Sequence, residues 1–391
     1  MNNIDEAVQH LLNGGLVIIA DDEDRESEGD LVGVGSLVTS ESINFMTKYG
    51  RGLICAPISQ KHAEKFHLNE MTDYNSDPFG TTFTISVDAT ETSTGISAKD
   101  RARTIKELAN PESTAESFFK PGHMFPLIAK SGGVLERRGH TEASLELVKL
   151  TGNEEVAYIC EILNDDGSMA RLPQLKKYAE EWDVPLITFE DLSSYLLNKD
   201  SVGVSLPTKY GDFKMKLFED YDHKEHLILY KGDIKNHDNP VMVRIHSECL
   251  TGDVFGSKRC DCGEQLERSM ELISNESVGA VIYMRQEGRG IGLKNKLRTY
   301  HLQEHGVDTY DANVKLGFMP DERQYDFAVE ILKAVGINNV RLLTNNPDKI
   351  SALEAHGINV AEQIPLQTKP LKENRHYLET KKVKFKHKLS I

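Results

Sequence analysis

The stretch Lys199-Asp-Ser-Val-Gly-Val-Ser-Leu-Pro-Thr-Lys-Tyr-Gly211 constrains the fold more than any other feature of this 391-residue chain. Its glycine, serine and proline content interrupts two long regions of mixed helix and strand patterning. The charge balance changes across it. Residues 1–200 carry 18 basic and 34 acidic side chains, a net −16, whereas residues 201–391 carry 28 and 27, a net +1. The chain also exceeds the roughly 100–200 residues usual for one domain. The break therefore predicts two domains, 1–200 and 201–391, with different ligands. The overall charge of −15 argues against a nucleic-acid partner, whose binding rests on cationic contacts to phosphates.

Both regions read as α/β (α+β), each a mixed sheet packed with helices. Ile4, Ala7, Val8, Leu11 and Leu12 recur at helical spacing, and Gly14-Gly15 stop that helix. Leu16–Ala20 reads as a buried strand, with further strands expected at Gly52–Pro57, Thr82–Val87, Val156–Ile162 and Val184–Phe189. Helical patterns fall near 41–49, 142–150, 171–181 and 191–197. Beyond the break, strands are expected at 227–230, 241–246, 279–284 and 340–344, and helices at 263–274, 292–304, 322–335 and 347–356. Asn346-Pro347 supplies an N-cap and first-turn pair for the last of these. The tail, with Lys at 381, 382, 384, 386 and 388, reads as a solvated terminus. No apolar run approaches the roughly 20 residues of a membrane helix. The opening Met-Asn-Asn-Ile-Asp-Glu lacks the basic start and apolar core of a secretory signal. Five cysteines, an odd number and clustered, fit a reducing compartment rather than a disulfide framework. A cytoplasmic protein is expected.

Three of those cysteines form the cluster Cys249-x10-Cys260-x-Cys262. Structural zinc sites supply four protein ligands, often as two CxxC pairs, whereas three leave a fourth position for water, as in a catalytic zinc. A four-ligand site completed by His246, and buried free thiols, remain open at this point. A zinc-ribbon regulatory protein without catalysis is the alternative from another functional class; the missing second CxxC pair counts against it. Cys55 and Cys160 read as small core hydrophobes. Around the cluster run Arg244-Ile-His-Ser-Glu248, Lys258-Arg259, Arg285-Gln-Glu-Gly-Arg-Gly-Ile-Gly292, Asp321-Glu-Arg323 and Leu343-Thr-Asn-Asn-Pro-Asp-Lys349. Arg244, Arg285, Arg289 and Lys349 offer charge for a polyphosphate, and Gly288, Gly290 and Gly292 permit close backbone approach. The P-loop pattern GxxxxGK[ST] is absent.

On these motifs, residues 205–391 resemble GTP cyclohydrolase II, which releases formate and pyrophosphate from GTP in riboflavin biosynthesis. The resemblance implies zinc on Cys249, Cys260 and Cys262, with Mg²⁺ on the GTP phosphates. It implies nucleotide contacts at Arg244, Ile245, His246, Ser247, Glu248, Gln265, Glu287, Gly288, Arg289, Thr309, Thr344 and Lys349. It makes Asp321 the proton acceptor, Arg323 the nucleophile and Tyr300 the active-site tyrosine. A purely electrostatic Arg323 is the rival role, since arginine is almost never deprotonated.

In the acidic half, Asp21-Asp-Glu-Asp-Arg-Glu-Ser-Glu-Gly-Asp30 follows the first buried strand. Glu26, Glu28 and Asp30 alternate and would point to one side of an extended chain, and hard carboxylates suit Mg²⁺. Arg25 stands ready for an anion. Lys120-Pro-Gly-His-Met-Phe-Pro126 and Arg137-Arg-Gly-His-Thr-Glu142 each read as a glycine-containing turn bearing a histidine. With these segments, residues 1–198 resemble 3,4-dihydroxy-2-butanone 4-phosphate synthase, which converts ribulose 5-phosphate to that product and formate. The resemblance implies two Mg²⁺ or Mn²⁺ ions, with Glu26 and His140 as metal ligands. Arg25, Glu26, Asp30, Arg137, Arg138, Gly139, His140, Thr141 and Glu161 would meet the substrate, and His123 and Glu161 would be the acid–base groups. Glu28, Cys55 and Thr94 fall in segments lining that family's site. The two resemblances, in this order, imply a bifunctional homodimeric enzyme; a chain with only one active half is the alternative.

Overall fold

Unbroken apolar runs nucleate both sheets. The structure, a computed structural model, describes residues 3–21, 27–199, 201–235, 237 and 239–389. It divides into two units, with the break between Tyr195 and Leu196.

The first unit is built on seven strands: β1 Val17–Ala20, β2 Gly29–Val34, β3 Cys55–Ile58, β4 Val87–Ala89, β5 Phe118–Ile128, β6 Ala157–Glu161 and β7 Leu186–Thr188. They lie in the order β4-β5-β3-β6-β2-β1-β7. The sheet is mixed: β3 runs parallel to β5, and β1 to β7, while β2 is antiparallel to both β1 and β6. β1, β2 and β3 are buried along their whole length, because helices cover them. The helix Asn3–Leu12 buries Ile4, Ala7 and Leu11 on one face, the i, i+3, i+7 stripe that helical spacing predicts. The helix His140–Thr151 packs against β2, β3 and β6.

The second unit has β8 Gly203–Thr208, β9 Gly211–Glu219, β10 Glu225–Lys231, β11 Val241–Ser247, β12 Gly279–Met284, β13 Asn339–Leu343 and β14 Asn359–Ile364. Their order is β14-β13-β11-β12-β10-β9-β8. The four strands from β14 to β12 are parallel, and the three from β10 to β8 form an antiparallel meander. Parallel strands covered on both faces read as largely hydrophobic runs; 279–284 is continuous, while Arg244 and His246 interrupt 241–246 and Arg341 interrupts 340–344. In such sheets, ligand crevices open at the carboxyl ends of the strands. The last residues of β11 with Glu248 and Cys249, and the stretches Arg285–Gly292 and Thr344–Lys349 that follow β12 and β13, lie at those carboxyl ends. Among the described residues, no helix is long and apolar enough to cross a membrane.

Several expectations are corrected. Thr82–Val87 is not one strand: Phe83 and Thr84 form isolated bridges, and β4 begins only at Val87. Thr84 donates its N–H to the Pro126 carbonyl at 3.0 Å, but proline has no N–H to return, so the ladder cannot continue there. Lys120–Pro126 is no turn; it lies within β5, held by β3 and β4 on its two sides. The interdomain stretch also contains structure. Gly203–Thr208 pairs with β9 as the edge strand of the second sheet, where Pro207 is tolerated because its missing donor faces no neighbour.

Candidate active sites

In the first unit, five adjacent strands bring polar groups to one end of the sheet. Asp88 on β4, His123 on β5, Cys55 at the start of β3, Glu161 at the end of β6 and Asp30 on β2 follow one another in sheet order. Asp30 lies directly opposite Glu161 in the antiparallel register. Glu161 Oε2 accepts the Leu53 N–H at 2.8 Å, and Gly52 is needed beside it because a Cβ would stand 2.4 Å from that oxygen. His140 opens its helix and is buried, with Nε2 3.9 Å from Asp30 Oδ1. Its ring meets Phe189 edge-on at 5.1 Å. Gly139 precedes it in extended geometry, and Thr141 is buried behind it.

His123 is oriented by a residue that the sequence did not single out. Asp88 accepts the His123 backbone N–H at 2.9 Å through Oδ1 and faces Nδ1 at 2.7 Å through Oδ2. Gly95, at φ +87°, presses on this pair; a Cβ there would lie 2.1 Å from Asp88 Oδ2. The segment containing Thr94 thus buttresses His123. Arg137 is engaged within the protein. Its guanidinium pairs with Glu142 at 2.5 Å and donates to Thr81 Oγ1 at 2.8 Å and the Phe79 carbonyl at 3.0 Å. Burial pushes the Glu142 carboxyl up while Arg137 pulls it back. Arg138 reaches Ser193 Oγ at 3.5 Å. Burial pushes the Cys55 thiol up, reinforced by Glu161 and Asp30, and pushes that of Cys160 up to about 12. Arg25 and Glu26 lie outside the described residues.

In the second unit, a cleft with about 1040 Å³ of empty space, its solvent mouth included, opens where expected. The Sγ atoms of Cys249, Cys260 and Cys262 lie within 4.8 Å of one another, those of Cys249 and Cys260 at 3.6 Å. Thiolates ~2.3 Å from a tetrahedral zinc stand ~3.8 Å apart, so the three sulfurs are spaced for one ion. Hydrogen bonds from Cys260 and Cys262 pull the Cys249 thiol well down, and those two are pushed up in turn. Three thiols so close cannot all ionise by themselves; a cation among them removes the conflict. His246 is not a fourth member. Its Nε2 faces Asp253 at 3.1 Å, and its ring stacks on Tyr283. Asp253 Oδ2 also accepts the Cys249 N–H at 2.9 Å.

The remaining motif residues surround these sulfurs. Glu287 accepts the Leu250 N–H at 2.6 Å and Lys296 Nζ at 2.7 Å, while Lys296 stands 3.2 Å from Cys249 Sγ. Burial works against the Lys296 charge, but Cys249 and Glu287 outweigh it and hold the ammonium protonated. The run Gly288–Gly290 has positive φ throughout, including Arg289 at 64°. This coil aims the Arg289 side chain into the cleft. Tyr300 contacts Thr251 Oγ1 at 3.1 Å, and Gln303 donates to Thr309 Oγ1 at 3.3 Å. Arg323 Nε meets Asp321 at 2.8 Å. Lys349 donates to the Ile245 carbonyl at 2.6 Å; its burial, with Arg244, Arg323 and Lys381 nearby, drives its pKa well down. Of the expected nucleotide contacts, Arg244, His246, Ser247, Glu248, Gln265, Glu287, Gly288, Arg289, Thr309, Thr344 and Lys349 line the cleft. Ile245 is a core residue, 0% exposed.

Four further lining residues, Tyr377, Lys381, Phe385 and His387, come from the stretch expected to be a solvated tail. It forms a helix, Arg375–Val383, whose Lys381 is buried against Asp261 at 2.7 Å. Tyr377, Leu378 and Lys381 share one helical face, a signal that the run of lysines hid.

Comparison with known proteins follows this division. Residues 5–195 match the family model of 3,4-dihydroxy-2-butanone 4-phosphate synthase, and residues 199–365 that of GTP cyclohydrolase II. The riboflavin biosynthesis protein RibBA of Bacillus mycoides (strain KBAB4) is 50% identical over 396 residues, covering 100% of both chains. That of Bacillus cytotoxicus is 49% identical with the same coverage. Among solved structures, RibBX, a two-domain 3,4-dihydroxy-2-butanone 4-phosphate synthase from A. baumannii, is 29% identical. It covers 93% of this chain and 99% of its own, with a TM-score of 0.55.

Proposed function

Because this chain belongs to the RibBA family of bifunctional riboflavin-biosynthesis enzymes, we propose that its two reactions take place at the two sites just described. The N-terminal half is a 3,4-dihydroxy-2-butanone 4-phosphate synthase, a lyase acting on ribulose 5-phosphate. The C-terminal half is a GTP cyclohydrolase II, a hydrolase releasing formate and pyrophosphate from GTP. We take the domains as 1–200 and 201–391.

The observation that carries the C-terminal assignment is the three-sulfur cluster set in a cleft of cations. Cys249, Cys260 and Cys262 would hold zinc, which supplies Lewis acidity at neutral pH. Arg244, Arg289 and Lys349 bind the polyphosphate; among the described residues none of them meets a carboxylate within ion-pair distance. Buried or half-buried cations with no carboxylate paired directly to them favour an anionic ligand. Glu287 and Lys296 hold the Cys249 loop, and Tyr300 orients groups at the sulfur end. Arg323, paired with Asp321, supplies positive charge to the departing pyrophosphate. A Mg²⁺ ion on the phosphates is expected.

In the N-terminal half, His140 and Asp30 present an imidazole nitrogen and a carboxylate oxygen to one spot. An imidazole and a carboxylate, with Glu26 expected as a further ligand, suit Mg²⁺ or Mn²⁺; such an ion would supply charge to neighbouring sugar oxygens. Asp88 holds the His123 ring so that Nε2 is free to take a proton, and Glu161 serves as the second base. Free thiols throughout fit a cytoplasmic location, and a homodimer is expected. Formate release from each substrate, measured separately with both metals present, tests the reading. His140→Ala should abolish only the sugar reaction and Cys260→Ser only the GTP reaction. Loss of both in either variant would refute two independent sites.

A further inference from the structure

The segment 375–389 follows the stretch 199–365 matched to GTP cyclohydrolase II, yet it is built into the wall of the nucleotide cleft. It is tied down at three places, each beside an expected nucleotide or metal contact. Lys381 Nζ meets Asp261 Oδ1 at 2.7 Å, between Cys260 and Cys262. The other oxygen of Asp261 accepts from Gln265 at 2.6 Å, and Gln265 accepts from Arg244 at 2.7 Å, so one buried chain of bonds joins the segment to a phosphate-binding arginine. Lys384 Nζ meets Asp308 at 2.6 Å and Asp311 at 3.1 Å, flanking Thr309. The Lys388 N–H reaches the Asn345 carbonyl at 3.0 Å, next to Thr344.

Between these ties, Phe385 and Tyr377 stack on the Arg289 guanidinium at 4.2 Å and 5.6 Å. His387 stands among Lys381, Arg323, Lys349 and Arg289; burial and these charges drive its pKa down to about 2. Arg289, Arg323, Lys349 and Lys381 line the cleft where the segment crosses it, Arg323 and Lys381 already paired with Asp321 and Asp261. Its side chains line the empty space rather than fill it.

We propose that residues 375–389 are a strap that closes the cleft over a bound polyphosphate, with Lys381 and Tyr377 as substrate-positioning residues and Lys384 as the outer latch. Lys381 is already paired with Asp261, so the strap acts on the polyphosphate by what it positions. It holds Arg289 by its flat faces, leaving the edges of the guanidinium for phosphate oxygens. The alternative, a strap that competes with the nucleotide, has the opposite consequences in each measurement below.

The proposal rests on the assignment of this cleft to GTP, and the experiment separates the two. The full-length zinc-loaded protein is digested with trypsin, with and without inorganic triphosphate, following cleavage at Lys381, Lys382, Lys384, Lys386 and Lys388. Triphosphate should slow cleavage there several-fold; faster cleavage, or no change, overturns the strap. Lys384→Asp, an exposed substitution that sets three acids together, should raise the KM for GTP about tenfold with kcat within about threefold. The ribulose 5-phosphate reaction should be untouched. A chain ending at Leu371 should lose more of kcat/KM for GTP. If either variant leaves the KM unchanged or raises turnover, the segment is dispensable or inhibitory and the proposal fails. Should Cys260→Ser keep GTP activity, it is the cleft assignment that fails instead.

Discussion

Asp88→Asn isolates the orientation of His123 from its chemistry. In the native protein one carboxylate makes two bonds to the same residue, 2.9 Å to the backbone N–H and 2.7 Å to Nδ1. The carboxamide can keep the first through its oxygen, but its NH₂ then faces Nδ1 and forces that nitrogen to accept. The proton moves to Nε2, and the ring can no longer take one from the substrate there. A hydrogen bond to a charged group contributes ~1.5–3 kcal/mol, so loss of orientation alone should lower kcat by about 10- to 150-fold. The side chain keeps its shape, and Gly95 still packs on it, so the fold should hold. Formate release from ribulose 5-phosphate is the assay, with GTP turnover as the internal control. The expected result is a fall in kcat with KM little changed, and no further loss when His123→Gln is added. A variant within twofold of wild type, or one that loses GTP turnover as well, would refute the orienting role.

Other outcomes follow from single contacts. Gly290→Ala places a Cβ 2.9 Å from the Glu322 carbonyl oxygen at φ +92°; it should displace Asp321-Glu-Arg323 and cut GTP turnover, seen as a kcat effect with zinc content unchanged. Cys55 and Cys160, with thiols pushed up by burial, should resist alkylation at pH 8 in native protein and react on denaturation, read by mass spectrometry. Removing zinc with a chelator should expose Cys249, Cys260 and Cys262 to the same reagent while the sugar reaction continues. Asp321 has a depressed pKa: burial alone would raise it, but the bond and charge of Arg323 prevail. Its contribution to stability is present above the ordinary carboxylate value of ~3.9 and is lost as pH falls through the folded value. Denaturant midpoints of Asp321→Asn should therefore fall less steeply than wild type below about pH 4.

The legibility of each element tracks its burial. β11 and β12 are almost wholly buried, so their sequences are mostly apolar, and the motifs at the carboxyl ends of β11, β12 and β13 line the candidate site. β5 was hidden because Pro121, Gly122 and Pro126 are poor strand formers; pairing with β3 and β4 overrides that preference. β14 was hidden for the opposite reason, since its exposed, polar sequence carries no alternation. Asp88 was one acid in a serine- and threonine-rich stretch, and only the register of β4 against β5 brings it to His123. Lys381 reads in the sequence as part of a solvated tail, and nothing in the sequence singles out Lys296. Each is buried because a carboxylate, Glu287 or Asp261, meets it at 2.7 Å.

The role of Arg323 can be argued from magnitudes. A nucleophilic guanidine must first lose its proton, and from an ordinary pKa of ~12.5 neutralisation at pH 7 costs about 7.5 kcal/mol. The surroundings increase that cost. Burial alone would favour the neutral form, but Tyr325 and the two-point pairing with Asp321 outweigh it and raise the pKa further. A carboxylate already bonded to Nε and Nη2 stabilises the cation it would have to deprotonate. A fixed positive charge, by contrast, is available without any proton transfer, and an arginine on a departing phosphoryl group contributes ~10³–10⁵ in rate. The electrostatic role therefore wins. Arg323→Lys should keep part of the activity, since charge survives without the planar fork, and Arg323→Gln should lose it. If the lysine and glutamine variants were equally inactive while both retained zinc and bound triphosphate, charge alone would be insufficient and the nucleophilic role would have to be restored.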